Sequence, residues 1–200
     1  MNRAKKPLKE LSNKKIIKNI IIPANNIDNN ILAVESWKNT KSFKSITDKE
    51  TQLSYYQKNN SPSEILQLVG LESKPFGTHM EKLISEIFDL EPRLSVENDA
   101  SYKNKKIEIK SARYWAGKDD CKWQHLEPDH DYDYVLFVLL DFNALCVWPV
   151  TKKYLMGELR DKKIITNQGK QGWWTSKKNI IQYLKPVYCK EDLTNFLDTH

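Results

Sequence analysis

The sequence lacks any apolar run long enough to cross a bilayer, and none of its three cysteines forms a CxxC pair. A membrane-spanning helix needs roughly 18 or more consecutive apolar residues, so no transmembrane segment is expected. The odd number and the scattered spacing of the cysteines argue against a disulfide scaffold and against a zinc knuckle. These absences favour a reduced, cytoplasmic location.

The start of the chain also lacks the features of a secretory signal. Residues 1–23 combine a basic head with an apolar patch, but Lys18 and Asn19 interrupt the patch. No small-residue cleavage site follows it, so we expect no signal peptide.

The residues that are present favour a globular protein with an anionic partner. Apolar residues make up 40% of the 200 positions, with six Trp and nine Tyr, which is enough to bury a core. The net charge is +6 and the isoelectric point is about 9.0. A basic surface favours a polyanion, with nucleic acid first and an anionic membrane second. A general abundance of Lys and Asn would give the same charge without such a partner.

Residues 1–60 are rich in Lys, Asn and Ser and read as an N-terminal extension to a domain at 61–200. Apolar residues at helical spacing predict a first amphipathic helix that ends at Pro23, and a second helix is predicted near residues 48–57. This helical extension could be a subunit contact or a DNA-contacting arm. A surface extension without a specific role is equally compatible with its composition.

Two helices are predicted at the start of the main domain. The motif "SPSE" has the form of a capping box, with Ser61 as the cap, Pro62 at the first helical position and Glu64 reaching back. The helix that follows, residues 63–69, is expected to stop at Gly70. The second helix covers residues 77–90. Its apolar stripe consists of Met80, Leu83, Ile84, Ile87 and Phe88.

Strand patterns dominate the sequence that follows. Residues 93–98 and 105–112 flank a polar turn and predict a hairpin. A short strand is predicted at 121–126, a strand buried on both faces within 132–142, and a partner for it at 144–150. Helical stretches are predicted at 151–160, 177–184 and 190–198. We therefore expect an α/β fold with a mixed central β-sheet flanked by helices.

Three ionisable residues are predicted to converge on the hairpin. Alternate side chains of a strand share a face, so Glu108 and Lys110 point one way while Ile107 and Ile109 point the other. Asp99 lies in the segment that can pair near Glu108. The three groups could be a solvated charged face, or they could form a metal site with a lysine beside it.

The chemistry of these three groups suits phosphodiester hydrolysis. Two neighbouring carboxylates repel each other unless a cation lies between them. Carboxylate oxygens suit Mg²⁺, which keeps several waters and pairs with phosphate. A lysine beside that ion can hold or deprotonate an attacking water.

Here the sequence resembles the PD-(D/E)xK nucleases, which have the restriction-endonuclease-like fold. The resemblance covers roughly residues 75–150 and depends on Asp99 followed by "IEIK", which ends at Lys110. The proline that usually precedes the aspartate is Asn98 in this sequence. The resemblance implies that Asp99, Glu108 and Ile109 bind Mg²⁺ and that Lys110 positions or activates water.

The resemblance also implies an additional acidic residue on the preceding helix. Glu81 lies about 90° from the centre of the apolar stripe and Glu86 about 130° from it, so Glu81 is preferred. Asp133, in a Tyr-Asp pair before the buried strand, is interpreted as structural. Gln124 and His125 could lie near the metal or the phosphate, although a core or surface histidine is the more usual role.

A second polar stretch, residues 160–178, is the candidate for reading DNA bases. Gln168, Lys170 and Gln171 have side chains that can bond base edges or phosphates. Alternatively, Trp173 and Trp174 pack the C-terminal helices and the lysines are simply solvated. Arg113 and Lys118, just past the Glu-x-Lys strand, are candidates for phosphate contacts.

The resemblance implies a Mg²⁺-dependent, sequence-specific endonuclease of double-stranded DNA, a type II restriction enzyme. By family analogy it also implies a homodimer and a cognate methyltransferase in the same restriction-modification system. A mismatch-repair nicking enzyme or a junction resolvase on the same fold is the alternative among enzymes. The sequence has no HNH or GIY-YIG pattern that would favour a different nuclease fold. A non-catalytic DNA-binding protein is the alternative outside enzymes.

Overall fold

The computed structural model describes residues 38–47 and 49–200, and the chain divides into two units, Met1–Lys49 and Glu50–His200. The described part of the first unit contains one short helix, α1 (Lys41–Thr47). The first helix predicted for the extension lies outside the described residues. The second unit begins about ten residues before the predicted boundary at position 61, because Tyr56 is fully buried in its core.

The second unit is an α/β structure in which three helices precede six consecutive strands, and a further helix, two strands and two helices follow. Its helices are α2 (Gln52–Lys58), α3 (Ser63–Val69), α4 (Ser73–Phe88), α5 (Lys152–Tyr154), α6 (Lys177–Ile180) and α7 (Lys190–Thr199). Its strands are β1 (Glu91–Pro92), β2 (Ala100–Tyr102), β3 (Lys105–Arg113), β4 (Lys122–Leu126), β5 (Tyr134–Leu140), β6 (Leu145–Thr151), β7 (Thr166–Asn167) and β8 (Trp173–Ser176). A π-helical turn (Leu155–Leu159) follows α5, and 3₁₀ turns lie at Gly169–Gln171 and Ile181–Tyr183.

The central sheet is mixed, as expected, with the strand order β1-β2-β3-β5-β6. Strand β3 is parallel to β5, and the other neighbouring pairs are antiparallel. Every residue of β5 is buried, which confirms the prediction from its unbroken apolar run. The strand β6 pairs with β5 along its whole length, also as predicted.

The hairpin of β2 and β3 differs from the predicted one in its first strand. Residues 93–98 form a loop rather than a strand, and β2 begins only at Ala100. The turn consists of Lys103 and Asn104, whose φ angles of 47° and 66° are both left-handed. Two-residue hairpin turns of this kind match the twist of the flanking strands, and asparagine tolerates them well.

The helix α4 begins earlier than its sequence pattern indicates. It starts at Ser73 rather than at position 77, and Phe76 adds a further buried residue to the apolar stripe. Met80, Ile84 and Phe88 are buried as predicted, but Ile87 is 51% exposed. The buried stripe is therefore narrower than the five residues predicted.

The start of α3 also differs in its cap. Pro62, not Ser61, occupies the cap position, and no side chain caps the helix. The hydroxyl of Ser61 is buried without a hydrogen-bond partner among the described residues. The predicted capping box is therefore wrong, although the predicted helix at 63–69 is confirmed.

A second, antiparallel sheet with the strand order β4-β8-β7 packs on the central sheet through Trp123. The Trp123 ring packs against those of Phe137 and Trp148, and its indole N–H donates to the carbonyl of Val138 at 2.9 Å. Phe137 is in register with Lys110 on β3, so these side chains share one face of the sheet. The second sheet therefore covers the face that carries Lys110.

The C-terminal helices lie close to the predicted stretches. Helix α5 and its π-helical turn span Lys152–Leu159, α6 and its 3₁₀ turn span Lys177–Tyr183, and α7 ends at Thr199. None of the helices within residues 38–47 and 49–200 is both long and apolar enough to cross a membrane.

Candidate active site

Asp99 is held against the middle of β3 by two hydrogen bonds. Its backbone N–H donates to the carbonyl of Ile107 at 2.9 Å, and its Oδ2 accepts from the N–H of Ile109 at 2.8 Å. Glu108 is the residue between Ile107 and Ile109 on this strand. The hairpin therefore brings the Asp99 carboxylate beside Glu108, as the sequence predicts.

Asn98 determines the shape of the loop that delivers Asp99. It is 2% exposed. Its Oδ1 accepts from the N–H and the hydroxyl of Ser95, both at 2.8 Å, and its Nδ2 donates to the carbonyl of Ala100 at 2.9 Å. These bonds give the loop a fixed path at the position where the resembled family usually has proline.

The backbone of Ile109 faces the same edge of β3 as the Asp99 carboxylate. Consecutive backbone groups of a strand point to opposite edges, so the N–H and the C=O of one residue point the same way. The N–H of Ile109 meets Asp99, and its carbonyl is therefore on that edge too. The Ile109 side chain is buried in the core, so only this carbonyl could act as a ligand.

Glu108 is buried and paired with Lys110. Glu108 is 7% exposed, and the Lys110 ammonium donates to its Oε1. Burial raises the pKa of Glu108 to about 7, because a charge is costly away from water. Lys110 lowers this pKa, whereas Asp99 and Glu81 raise it further by like-charge repulsion.

The helix α4 adds Glu81 to the same cluster. Burial raises the pKa of Glu81, and the neighbouring Asp99 raises it as well, while Lys110 and Arg93 lower it. Glu86, the other candidate on α4, is exposed on a different side of the helix. The structure thus brings Glu81 together with Asp99, Glu108 and Lys110, but not Glu86.

A cleft of about 360 Å³ opens beside this cluster. It follows β3 from Ile109 to Arg113 and is bordered by α4, which contributes Glu81, and by β4. Asp99 and Glu108 do not line the cleft, but Glu108 is joined to it through its ion pair with Lys110. The cleft is therefore the space from which a substrate would reach Lys110.

Gln124 and His125, whose roles the sequence leaves open, both line this cleft. Gln124 also connects the cleft to the predicted base-reading loop, because its Nε2 donates to Oε1 of Gln168 at 3.4 Å. The sequence carries no direct signal for this placement, which depends on how β4 pairs with β8, a strand distant in sequence.

The predicted base-reading residues lie at the tip of the β7–β8 hairpin. Lys170 and Gln171 are exposed there, while Gln168 is half-buried. The tip closes tightly: Gly172 has a φ of 70°, and a Cβ at this position would lie 2.6 Å from Oε1 of Glu127. Trp173 packs against the core, so the hairpin has a packed base and an exposed tip.

The two residues predicted to bind phosphate differ in their surroundings. The Nη1 of Arg113 donates to the carbonyls of Val69 at 2.5 Å and Leu71 at 2.6 Å, and its guanidinium stacks on the Phe76 ring. Arg113 thus has a structural role at the end of α3. Lys118 is exposed in a turn and lies over the Trp115 ring.

Asp133 has the structural role interpreted from the sequence. Its N–H donates to the carbonyl of Lys106 at 2.8 Å, and its Oδ2 accepts from the N–H of Lys106 at the same distance. These bonds align the beginnings of β3 and β5.

The residues beside Lys110 offer oxygen ligands of the kind that Mg²⁺ prefers. Within the part of the chain that the structure describes, no group of three or more His, Cys, Asp or Glu side chains is arranged to hold a metal. Mg²⁺ needs only one or two carboxylates, however, because it retains several waters. Asp99, Glu108 and the Ile109 carbonyl fit such a site, and a cation there would relieve the repulsion that Glu108 experiences.

Comparisons with known proteins assign no family to the chain. No protein-family model, curated protein sequence or solved structure matches this chain.

Proposed function

We propose that the protein is a Mg²⁺-dependent endonuclease of double-stranded DNA, of the type II restriction class. The observation that carries this proposal is the convergence of Asp99, Glu108 and Lys110 beside an open cleft. Two carboxylates can hold a metal ion that assists hydrolysis of a phosphodiester, and a lysine beside them can position the attacking water.

The order of elements around the site supports a restriction-endonuclease-like core. A long helix, α4, precedes the β2–β3 hairpin, and β5 then pairs in parallel with β3. This is the arrangement that the resemblance to PD-(D/E)xK nucleases implies, with the acidic residue of the helix supplied by Glu81. The bonds of Asn98 fix the loop before Asp99 at the position where that family usually has proline.

Each residue of the site has a distinct part in the proposed reaction. Asp99 is oriented by the Ile109 N–H, so one of its oxygens is fixed in direction. The Lys110 ammonium has three N–H donors, so its bond to Glu108 leaves others to hold a water for attack on phosphorus. A Mg²⁺ ion held by Asp99, Glu108 and the Ile109 carbonyl would supply positive charge against the charge developing on the phosphate.

Substrate recognition is assigned to the β7–β8 hairpin. Its tip carries exposed Lys170 and Gln171 and is joined to the cleft through Gln168 and Gln124. Amide side chains can bond adenine edges, and lysine can bond guanine or phosphate. A homodimer, which would place two such sites on a palindromic sequence, and a cognate methyltransferase belong to the same proposal.

The experiment that tests the proposal is cleavage of a long natural duplex with Mg²⁺, with EDTA and with Lys110→Ala. Discrete fragments that require both Mg²⁺ and Lys110 are expected, and their ends would give the recognition site. Lys106→Ala is a matched control, because it removes a lysine of the same strand that pairs with Asp131 outside the cluster. Cutting that Lys110→Ala retains would contradict the proposal.

A non-catalytic DNA-binding protein is the second candidate, and one observation favours it. Glu108 and Lys110 already satisfy each other as an ion pair, which a purely structural role would also produce. Such a protein would bind duplex DNA equally well with EDTA and would cut none. A nicking or junction-resolving nuclease would instead prefer a hemimethylated duplex or a four-way junction in the same assay.

A further inference from the structure

The strand β4 contains a β-bulge that places two neighbouring side chains on the cleft. Trp123 pairs with Thr175 and Leu126 with Trp173, so two residues of β4 stand opposite the single residue Trp174 of β8. In a regular strand, side chains three positions apart point to opposite faces. The extra residue instead allows Trp123 and Leu126 both to be buried, and it leaves Gln124 and His125 together on the cleft.

His125 has the unfavourable backbone conformation in this bulge. Its φ is 58°, in the left-handed region that a residue with a Cβ adopts only at a cost. Its side chain is exposed, so core packing does not account for a histidine at this position. A glycine would form the same bulge without the energetic cost of the left-handed backbone conformation. The imidazole ring is therefore the feature of this position that needs an explanation.

The ring lies on the part of the cleft wall that β4 forms. Lys110, Glu81 and His125 line the same cleft, and Lys122 of β4 adds a positive charge to that wall. An imidazole always has at least one N–H that can donate to a phosphate oxygen. Base reading is assigned to the β7–β8 tip, so the chemistry left for this wall is contact with the sugar–phosphate backbone.

We propose that His125 contacts a backbone phosphate of the DNA strand that is cut, as part of the same cleft as Lys110. This inference rests on the proposed nuclease function and adds to it a substrate-contacting residue outside the Asp, Glu-x-Lys motif. The bulge in β4 places the imidazole ring on the cleft.

The test is His125→Gly, which removes the ring and relaxes the backbone at the same time. Cleavage of the long natural duplex is expected to slow about 10- to 100-fold, the effect of losing one hydrogen bond to a charged group. The thermal melting temperature should stay equal to that of the wild type or rise, since glycine prefers this conformation. His125→Asn, which tolerates the left-handed backbone and keeps an N–H donor, should restore part of the rate.

Asn60→Gly is the matched control, because Asn60 also has a left-handed φ, of 57°, but does not line the cleft. It should cut at the wild-type rate. Wild-type rates for His125→Gly would overturn the inference, as would a rate loss that merely follows a lower melting temperature.

Failure of the proposed nuclease function gives a different result. In that case the wild type does not cut, and affinity for the same duplex in EDTA becomes the readout. Weaker binding by His125→Gly than by the wild type would keep the phosphate contact without the nuclease. Equal binding by His125→Gly and the wild type, or no binding by either protein, would overturn the proposed phosphate contact.

Discussion

The carboxylate of Asp99 and the backbone amide of Ile109 are joined by a 2.8 Å hydrogen bond across the β2–β3 hairpin. One carboxylate therefore serves both the hairpin and the proposed metal site. Substitutions at position 99 can separate these two contributions.

Asp99→Asn should keep the fold and abolish cleavage. The amide oxygen still accepts from the Ile109 N–H, but the negative charge that would hold Mg²⁺ is lost. Asp99→Ala should lose both the acceptor for the Ile109 N–H and the negative charge. Its free energy of unfolding should fall by about 1–2 kcal/mol, because the partly buried N–H of Ile109 is left without its partner. Urea unfolding and duplex cleavage measure the two effects, and an active Asp99→Asn would contradict a role in metal binding.

The raised pKa of Glu108 makes folding stability depend on pH. Below about pH 4.5, Glu108 is protonated in both the folded and the unfolded chain. Between that value and about 7, the unfolded chain gives up this proton more readily, so the contribution of Glu108 to stability falls as the pH rises. The loss relative to Glu108→Gln should be on the order of 3 kcal/mol and should level off only about one pH unit above the folded-state pKa.

Magnesium should reverse this loss, because it favours the ionised form of Glu108. We expect Mg²⁺ to raise the melting temperature of the wild type at pH 8 more than at pH 5. Glu108→Gln should show little of this difference. An equal effect of Mg²⁺ on both proteins at both pH values would place the ion elsewhere.

Arg113 and Lys118 should affect different properties. Arg113→Ala is expected to lower the free energy of unfolding by about 2–3 kcal/mol, because it removes the guanidinium from the carbonyls of Val69 and Leu71. Lys118→Ala should leave stability within about 0.5 kcal/mol of the wild type. It should also reduce the slope of log K against log salt by about 1. If Arg113→Ala reduced the salt slope and left stability unchanged, Arg113 would be a phosphate contact instead.

Gln168 and Gln171 should determine sequence preference rather than rate. Replacing either with Ala should relax discrimination at one base pair by about 1–3 kcal/mol, measured by mapping cut ends on natural DNA. Gln182→Ala is a suitable control, since Gln182 is an exposed glutamine after α6, outside the hairpin. Unchanged cleavage positions in both loop variants would mean that the hairpin does not read bases.

The sequence predicts those parts of the fold that depend on local pattern. The unbroken apolar run of β5 requires burial on both faces, and the two-residue alternation places Glu108 and Lys110 together. The helical angle likewise separates Glu81 from Glu86. In each case, a residue and its near neighbours in sequence carry the whole signal.

The parts that the sequence could not supply depend on distant partners. The bulge at His125 is a shift in the pairing register of β4 and β8. The sequence of neither strand by itself indicates this shift. The loop before Asp99 is shaped by side-chain bonds of Asn98, so an apparent strand pattern gives way to a turn. The exposure of Ile87 reflects how far α4 is covered by its neighbours, which helical periodicity does not set.

The indole of Trp123 ties the second sheet to the central sheet through a buried hydrogen bond and two ring contacts. Moving the cleft wall would break that bond in a dry interior, where an unpaired donor is costly. With DNA as the substrate, a wall that does not move requires the duplex itself to change shape when it enters the cleft. The energy needed to bend or untwist each base step would then contribute to selectivity, even at base pairs that no side chain touches.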